Sequence, residues 1–133
     1  MKPLDVAVAV VERNGQYLIT QRLPQDSFGG FWEFPGGKLN GQETLEACLI
    51  REIQEELGIG IAVEEKLLVV EHPYPGRVIR LHCFRCTLLN GEPKTLECSA
   101  WRWVVPQELT HFEFPPASRS IIDLLQKKES TDL

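Results

Sequence analysis

The sequence predicts a single domain of the α/β or α+β class. Its length of 133 residues is typical of one domain with one hydrophobic core. Short apolar segments of strand type alternate with turn-forming residues, and two segments carry the apolar spacing of a helix. Hydrophobic residues make up 43% of the chain and charged residues 25%, which is ordinary for a soluble globular protein.

The N-terminal part of the chain is predicted to form a β-hairpin. Residues 5–12 are a valine-rich apolar run, and residues 16–22 supply the returning strand. Asn14-Gly15 lies between them and is the strongest short hairpin signal, because both residues tolerate the positive φ angles of a tight turn. Residues 24–31 are predicted to form a loop.

A helix is predicted from about Thr44 to Leu57. Thr44 suits the N-cap, since its hydroxyl can accept a hydrogen bond from a backbone N–H of the first turn. Gly58 suits the other end, because glycine adopts a left-handed conformation without steric cost. The spacing places four apolar side chains on one stripe of this helix, namely Leu45, Leu49, Ile53 and Leu57.

The second half of the chain is predicted to contain three strands and a second helix. In chain order these elements are strands 61–71, 77–89 and 101–105 and helix 117–127. Turn-forming residues at 73–76 and 90–93 separate them. Residues 128–133 are expected to fray, which leaves residues 1–133 as one domain without a linker or repeat.

Charge and hydropathy exclude several classes of partner. A net charge of −5 argues against a general nucleic-acid surface, so no stable nucleic-acid binding is expected. No apolar run approaches the roughly 18 residues that span a bilayer, and residues 1–5 lack the apolar core of a signal peptide. We therefore expect a cytoplasmic protein with no membrane contact.

Four cysteines occur, and reduced thiols are expected for them in a cytoplasmic chain. Cys83 and Cys86 have C-x-x-C spacing but lie in a predicted strand, where an offset of three residues sends two side chains to opposite faces. No second pair completes a zinc site, so metal or redox use of these thiols is not expected.

Three carboxylates on the first predicted helix define the candidate functional site. Glu52, Glu55 and Glu56 occupy positions i, i+3 and i+4, which fall on one side of a helix. Like charges at this spacing oppose helix formation by roughly 0.2–0.5 kcal/mol per pair. A compensating cation is therefore expected, and carboxylate oxygens favour Mg²⁺, Mn²⁺ or Ca²⁺. The alternative is a solvated acidic face of the helix.

The residues around these glutamates form a longer pattern. Residues 37–59 fit G-x5-E-x7-R-E-U-x-E-E-x-G-U, with U aliphatic, at all nine specified positions. This pattern resembles the Nudix box. The segments FPGGK at 34–38 and FPPA at 114–117 further resemble the MutT branch of that superfamily, and the likeness covers roughly residues 4–127.

This resemblance implies the Nudix fold, a mixed β-sheet sandwiched between α-helices, and hydrolysis of a phosphoanhydride with Mg²⁺, for which Mn²⁺ could substitute. It implies a set of metal ligands made of Glu52, Glu55, Glu56 and the carbonyl group of Gly36. Arg51 and Glu43 are implied to form an ion bridge that braces the loop before the helix. The general base is either Glu52 or, on a later loop, Glu97.

The resemblance also implies a nucleotide site. The positions that match the nucleotide contacts of MutT-like enzymes are Arg22, Glu33, Phe34, Pro35, Gly36 and Ser118. Arg77, which follows the predicted turn at 73–76, resembles a contact to the sugar or base. The implied activity converts a nucleoside triphosphate to its monophosphate and pyrophosphate, with 8-oxo-dGTP as the best single candidate, in a monomer or homodimer.

Two positions depart from MutT. Ser118 replaces an asparagine, so one hydroxyl stands where an amide would both donate to and accept from oxidised guanine. Ser27 replaces a histidine. Modified pyrimidine triphosphates, ADP-ribose and dinucleoside polyphosphates are therefore alternative substrates. A non-catalytic alternative also exists, because residues 29–37 resemble the oxidised-base-binding C-terminal domain of MutY-type glycosylases, in which the box is degenerate.

Overall fold

The computed structural model describes residues 2–131, and within them seven strands and two α-helices form a sandwich of helix, sheet and helix. The strands are β1 (Leu4–Arg13), β2 (Gln16–Gln21), β3 (Trp32–Glu33), β4 (Gly36–Lys38), β5 (Gly60–Tyr74), β6 (Arg77–Asn90) and β7 (Ala100–Val104). The helices are α1 (Leu45–Leu57) and α2 (Arg119–Thr131), with short 3₁₀ turns at Pro106–His111 and Pro116–Ser118.

Strand β1 is the centre of the sheet. It pairs in parallel with β6 and antiparallel with both β2 and β4, so the sheet is mixed, as the resemblance implied. The strand order is β3-β2-β1-β6-β5, with β4 added to β1 and β7 added to β2. Because β4 lies against β1 and residues 39–44 join it to α1, the pairing of β4 with β1 places the loop before α1 beside the centre of the sheet.

The two faces of β1 bury two separate hydrophobic clusters. Ala7, Ala9 and Val11 face α1 and pack with its buried Leu49 and Ile53. The intervening residues of β1 face α2. Each fully buried Leu or Ile contributes about 1.5–3 kcal/mol, so this alternation holds one helix on each face and confirms the predicted sandwich.

The predicted local signals at the hairpin and at α1 are confirmed. Asn14 and Gly15 have φ angles of 52° and 77° and close the turn between β1 and β2. Thr44 Oγ1 accepts a hydrogen bond from Ala47 N at 3.1 Å, and Gly58 ends α1 in a left-handed conformation with φ of 69°. The boundaries of α1 therefore follow from its two caps.

Several elements differ from the prediction. Strands β3 and β4 contain only two and three residues, too few to give a periodic signal, and were not predicted. Strand β5 continues to Tyr74, which narrows the predicted turn to Pro75-Gly76. Helix α2 begins two residues later than predicted and continues to Thr131, into the segment expected to fray, and residues 132–133 lie outside the described residues.

The cysteines lie where the strand argument placed them. Cys83 belongs to the cluster under α2 and Cys86 to the cluster under α1, on opposite faces of β6. All four thiols are free and buried. Within residues 2–131, no helix is both long enough and apolar enough to cross a membrane.

Candidate active site

Helix α1 presents the three predicted glutamates at its edge, in three different environments. Glu56 is buried at 7% exposure, next to the buried Leu57. The Glu52 side chain is 20% exposed, whereas that of Glu55 is 48% exposed. The exposure of the three side chains therefore decreases from Glu55 through Glu52 to Glu56, beside the apolar stripe of α1 that packs on the sheet.

Arg51 links these carboxylates to the loop before α1. It binds both oxygens of Glu43, through Nη2 at 2.7 Å and Nε at 3.1 Å, which confirms the predicted ion bridge. Its Nη1 also donates to Glu52 at 2.9 Å and to Glu55 at 3.0 Å. This pairing with Arg51 lowers the pKa of Glu43 to about 2, so Glu43 is ionised at neutral pH.

Glu56 is the most perturbed carboxyl group of the site. Its pKa is raised to about 8, first by burial and then by the negative charges of Glu33, Glu52 and Glu97. Thr20 on β2 donates a hydrogen bond to Glu56 Oε1 at 3.3 Å and opposes this shift. Burial and the neighbouring carboxylates therefore both disfavour the ionised form of Glu56, which a bound cation would favour.

The double glycine of β4 lets the sheet approach the helix. Gly36 pairs with Val8 of β1, and a Cβ added there would overlap the carbonyl oxygen of Ala7. A Cβ added at Gly37 would overlap the carboxylate of Glu52. Both glycines are thus required by close packing, and Glu52 lies directly against the strand that carries the predicted carbonyl ligand.

The donor set fits a hard divalent cation by its chemistry. Three carboxylates and a neighbouring carbonyl offer the oxygen ligands that Mg²⁺ and Mn²⁺ prefer, and a cation would relieve the repulsion that raises the pKa of Glu56. In the described part of the chain, no three His, Cys, Asp or Glu side chains converge into a ready metal cluster. Glu52 and Glu55 are instead paired with Arg51, and Glu56 with Thr20.

The loop before β7 brings Glu97 to the same helix. Glu97 N donates to the carbonyl oxygen of Glu56 at 3.2 Å, and Lys94 N donates to that of Leu57 at 2.9 Å. The side chain of Glu97 is exposed and contributes to the raised pKa of Glu56. Both candidates for the general base therefore lie near Glu56. Glu52 belongs to α1 itself, and Glu97 belongs to the loop before β7.

A cavity of about 610 Å³ adjoins the carboxylates and is lined by Gly36 and Gly37. The other predicted nucleotide residues that line it are Arg22, Glu33, Phe34, Arg77 and Ser118. Pro35 does not line the cavity, because it is fully buried and its carbonyl oxygen accepts a hydrogen bond from Ala9 N at 2.8 Å. The structure thus gathers six of the seven predicted nucleotide residues around one cavity.

Arg22 is held at the cavity wall by two partners. Its Nη1 donates to Glu33 at 2.7 Å, and its Nε donates to the carbonyl oxygen of Ser27 at 2.6 Å. Burial raises the pKa of Glu33, and the charge of Arg22 partly offsets that effect. A guanidinium has five N–H donors, so Arg22 can use the others for a phosphate while Glu33 and Ser27 fix its orientation.

The cavity also contains aromatic residues that the sequence did not indicate. Phe28 adopts a φ of 56°, unusual for an aromatic residue, and its ring lies 5.5 Å from that of Tyr74. Both line the cavity. Phe34 is 4% exposed and stacks on Phe114 at 5.5 Å, so it belongs to the core as well as to the cavity wall. Phe34 and Phe114 belong to the FPGGK and FPPA segments, whereas Phe28 and Tyr74 lie in neither of them.

Comparison with known proteins identifies the family. The NUDIX domain family matches residues 6–124, most of the chain and all of the site described above. The chain belongs to the NUDIX family. It is a MutT-like Nudix hydrolase, as the resemblance of residues 37–59 implied.

Two curated relatives have names that state different substrates. A CTP pyrophosphohydrolase from Escherichia coli K12 is 34% identical over 123 residues, which is 92% of this chain and 91% of the relative. An 8-oxo-dGTP diphosphatase from Proteus vulgaris is 44% identical over 92 residues, which is 68% of this chain and 82% of the relative. The family is therefore common to both relatives, whereas their substrates differ.

A solved structure confirms the fold. The solution structure of the E. coli ORF135 protein matches with a TM-score of 0.85 at 32% sequence identity, over 98% of this chain and 94% of that protein. The mixed sheet between two helices is thus the Nudix fold, and Nudix hydrolases are in general dependent on a divalent metal.

Proposed function

We propose that this Nudix hydrolase is a Mg²⁺-dependent nucleoside triphosphate pyrophosphohydrolase that converts 8-oxo-dGTP to 8-oxo-dGMP and pyrophosphate. One observation carries the proposal. Glu52 of α1 lies directly against Gly37, and Gly37 together with Gly36 lines the aromatic cavity. A nucleotide whose base occupies the cavity would extend its phosphates past these glycines toward Glu52 and Glu56. The 8-oxo-dGTP diphosphatases among the relatives support this substrate.

Each charged residue has a distinct task in this proposal. Glu52, Glu55 and Glu56, with the carbonyl of Gly36, would hold Mg²⁺, which when bound neutralises phosphate charge and lowers the pKa of a coordinated water. Arg22 would bind a phosphate from the opposite wall. Glu52 or Glu97 would accept the proton of the attacking water, since both lie next to Glu56.

Arg51 would support the site by orienting its carboxylates, without taking part in proton transfer. Arg51 holds Glu43, Glu52 and Glu55 in one network, so it keeps two proposed ligands oriented. The buried position of Glu56 reduces competition from water for a cation and strengthens its attraction. In this way the chain would supply oriented ligands, one of which is shielded from water.

A pyrimidine triphosphate is the second candidate. Ser118 presents a single hydroxyl where MutT has an amide, which weakens two-point recognition of oxidised guanine. The relative from E. coli that is a CTP pyrophosphohydrolase spans almost the whole chain. Both observations favour a substrate such as CTP or a modified dCTP, processed by the same glutamates.

Steady-state kinetics on a nucleotide panel test the proposal. The panel contains 8-oxo-dGTP, dGTP, CTP, a modified dCTP, ADP-ribose and a diadenosine polyphosphate, with Mg²⁺ and chromatographic separation of products. We expect 8-oxo-dGTP to give the highest kcat/KM and to release pyrophosphate. A highest kcat/KM with CTP or modified dCTP would replace it by the second candidate, and a preference for ADP-ribose would contradict both.

A further inference from the structure

Tyr74 joins the separate walls of the cavity. It is the last residue of β5, at the hairpin between β5 and β6. Its ring lies 5.5 Å from Phe28, which belongs to the loop after β2. Its hydroxyl oxygen accepts a hydrogen bond from Ala117 N at 3.0 Å, 43 residues away in the chain. Three cavity segments that are distant in sequence therefore meet at one side chain.

We propose that Tyr74 is a positioning residue that fixes the distance between Phe28 and Ser118 and thereby determines which nucleobase the enzyme accepts. This inference rests on the proposed nucleotide site, in which the base occupies the cavity. Tyr74 acts through the two residues that it holds.

The hydrogen bond to Ala117 fixes the segment that carries Ser118. Pro115 and Pro116 have no backbone N–H, so Ala117 supplies the first donor of the 3₁₀ turn at Pro116–Ser118. That donor is directed to the Tyr74 hydroxyl, and the next one, Ser118 N, closes the turn on the carbonyl oxygen of Pro115 at 3.0 Å. The Tyr74 hydroxyl group is therefore a direct hydrogen-bonded link between β5 and the turn that carries Ser118.

The opposite wall is held by two other contacts. Phe28 has a positive φ, a conformation that an aromatic residue keeps only where its surroundings impose it. Arg22 Nε binds the carbonyl oxygen of the preceding Ser27 at 2.6 Å, and Phe31 N binds that of Phe28 at 3.0 Å. The first bond ties the loop to Arg22, the residue after β2, the second closes the loop on itself, and the ring of Tyr74 contacts Phe28.

Base selection depends on the spacing of these walls. An aromatic ring such as Phe28 can stack on any base, because every base has a π-face, so stacking alone gives little selectivity. The hydroxyl of Ser118 makes a directional contact whose partner atom depends on how far the stacked base lies from it. A shift of Ser118 relative to Phe28 would therefore change which base edge is matched, without moving the glutamates of α1.

Tyr74→Phe is the informative variant, because it removes the hydroxyl and retains the ring against Phe28. Tyr17→Phe is the matched control, since Tyr17 lies in the core cluster under α2 and does not line the cavity. The Ala117 amide is followed by NMR hydrogen exchange in the full chain. The kcat and KM values are measured for 8-oxo-dGTP, dGTP and CTP in the wild type, both single variants, Ser118→Ala and the Tyr74→Phe/Ser118→Ala double variant.

We expect faster exchange of the Ala117 amide in Tyr74→Phe, and a threefold to tenfold change in the ratio of kcat/KM between nucleotides. The change should arise in KM, with kcat within about twofold of the wild type, and it should be absent in Tyr17→Phe. Ser118→Ala and the double variant should show the same ratio, because Tyr74 acts through Ser118.

Faster exchange with an unchanged nucleotide ratio would overturn the inference, because Tyr74 would then be purely structural. Unchanged exchange would overturn it as well, since the hydrogen bond would not control the turn. Failure of the proposed function is seen separately, in the wild type alone, as a preference for ADP-ribose or a dinucleotide. In that case the same ratio is taken between the nucleotides that the wild type does hydrolyse.

Discussion

The candidate active site has two ends that the chain builds in different ways. The carboxylate end consists of residues within one short stretch of sequence, Gly36, Glu43, Arg51, Glu52, Glu55 and Glu56. The cavity end draws its residues from segments far apart in the chain, Arg22, Phe28, Glu33, Tyr74, Arg77 and Ser118. The first end is defined by helical spacing and ion pairs, whereas the second depends on the packing of the whole fold.

Under the proposed function, this difference would separate the reaction from the selection of the nucleotide. A local motif keeps its geometry when distant segments change, so the carboxylate end should act on any bound polyphosphate. The cavity end can change through single substitutions at the meeting points of its segments. Changes at the carboxylate end should therefore lower kcat for every nucleotide, and changes at the cavity end should alter KM and the order of preference.

The largest effect is expected for Glu56→Gln, with Glu55→Gln as its more exposed partner. Loss of a carboxylate charge from the proposed metal site should lower kcat at least about tenfold for all nucleotides. The fold should remain intact, since removing one of three like charges relieves repulsion along α1. Kinetics at saturating Mg²⁺ and circular dichroism measure the two effects.

Glu46→Gln is the control, because Glu46 is an exposed residue of the first turn of α1. It should keep wild-type turnover. Near-wild-type turnover in both Glu55→Gln and Glu56→Gln would contradict the metal assignment.

Arg51→Gln should have the next largest effect. The guanidinium holds Glu43, Glu52 and Glu55 together, so its loss should disorder two proposed ligands and lower kcat about threefold to tenfold for all nucleotides. Thermal unfolding should also occur at a lower Tm. Enzyme kinetics and calorimetry measure the two changes.

Arg119→Gln is the matched control for Arg51→Gln. Arg119 forms an exposed ion pair with Asp123 at 2.9 Å on α2, outside the ion-pair network of Arg51, and exposed pairs of this kind contribute little. Its loss should leave kcat unchanged. Equal effects of the two substitutions would show that the Arg51 network has no special role.

Ser118→Asn should change selectivity without changing the reaction. An amide can both donate to and accept from the base, so the preference for 8-oxo-dGTP over dGTP should increase, by about threefold to tenfold. The effect should appear in KM. Ser120→Asn, an exposed substitution on α2, should leave the ratio unchanged. An unchanged ratio in Ser118→Asn would remove Ser118 from the base-reading residues.

The smallest effect concerns stability in acid. Pairing with Arg51 lowers the pKa of Glu43 to about 2 in the folded chain, from its ordinary value of 4.5. Because the folded value is the lower one, its contribution to the free energy of unfolding is complete above about pH 4.5 and is lost as the pH falls toward 2. Urea unfolding at pH 6, 4 and 3 should show this loss, and Glu43→Gln should show a shallower one. If the free energy of unfolding fell equally with pH in the wild type and in Glu43→Gln, the assigned role of Glu43 would be contradicted.

The sequence predicted the carboxylate end almost completely. The caps of α1, the phase of Glu52, Glu55 and Glu56, and the bridge from Arg51 to Glu43 all depend on residues within a few helical turns. Spacing along the chain determines such contacts. The hydrogen bond from Thr20 to Glu56 was not predicted, because 36 residues separate the two partners.

The cavity end was predicted only through family resemblance, and only in part. Nothing in the local sequence distinguishes Phe28 or Tyr74 from ordinary core aromatics. Their roles depend on the meeting of the loop after β2 with the hairpin of β5 and β6. The resemblance also included Pro35, which is fully buried beside β1, where its carbonyl oxygen accepts a hydrogen bond from Ala9 N. Tertiary packing determines these positions, and the spacing of residues along the chain does not predict it.

The four buried thiols have a consequence for the chain under oxidative stress. Burial raises the pKa of Cys48 and Cys98 to about 11 and that of Cys83 and Cys86 to about 12. At neutral pH no more than about one in 10⁴ of these groups is a thiolate, the form that peroxide attacks. Peroxide would therefore leave these sulfur atoms largely unmodified, and the two hydrophobic clusters that contain them would keep their packing.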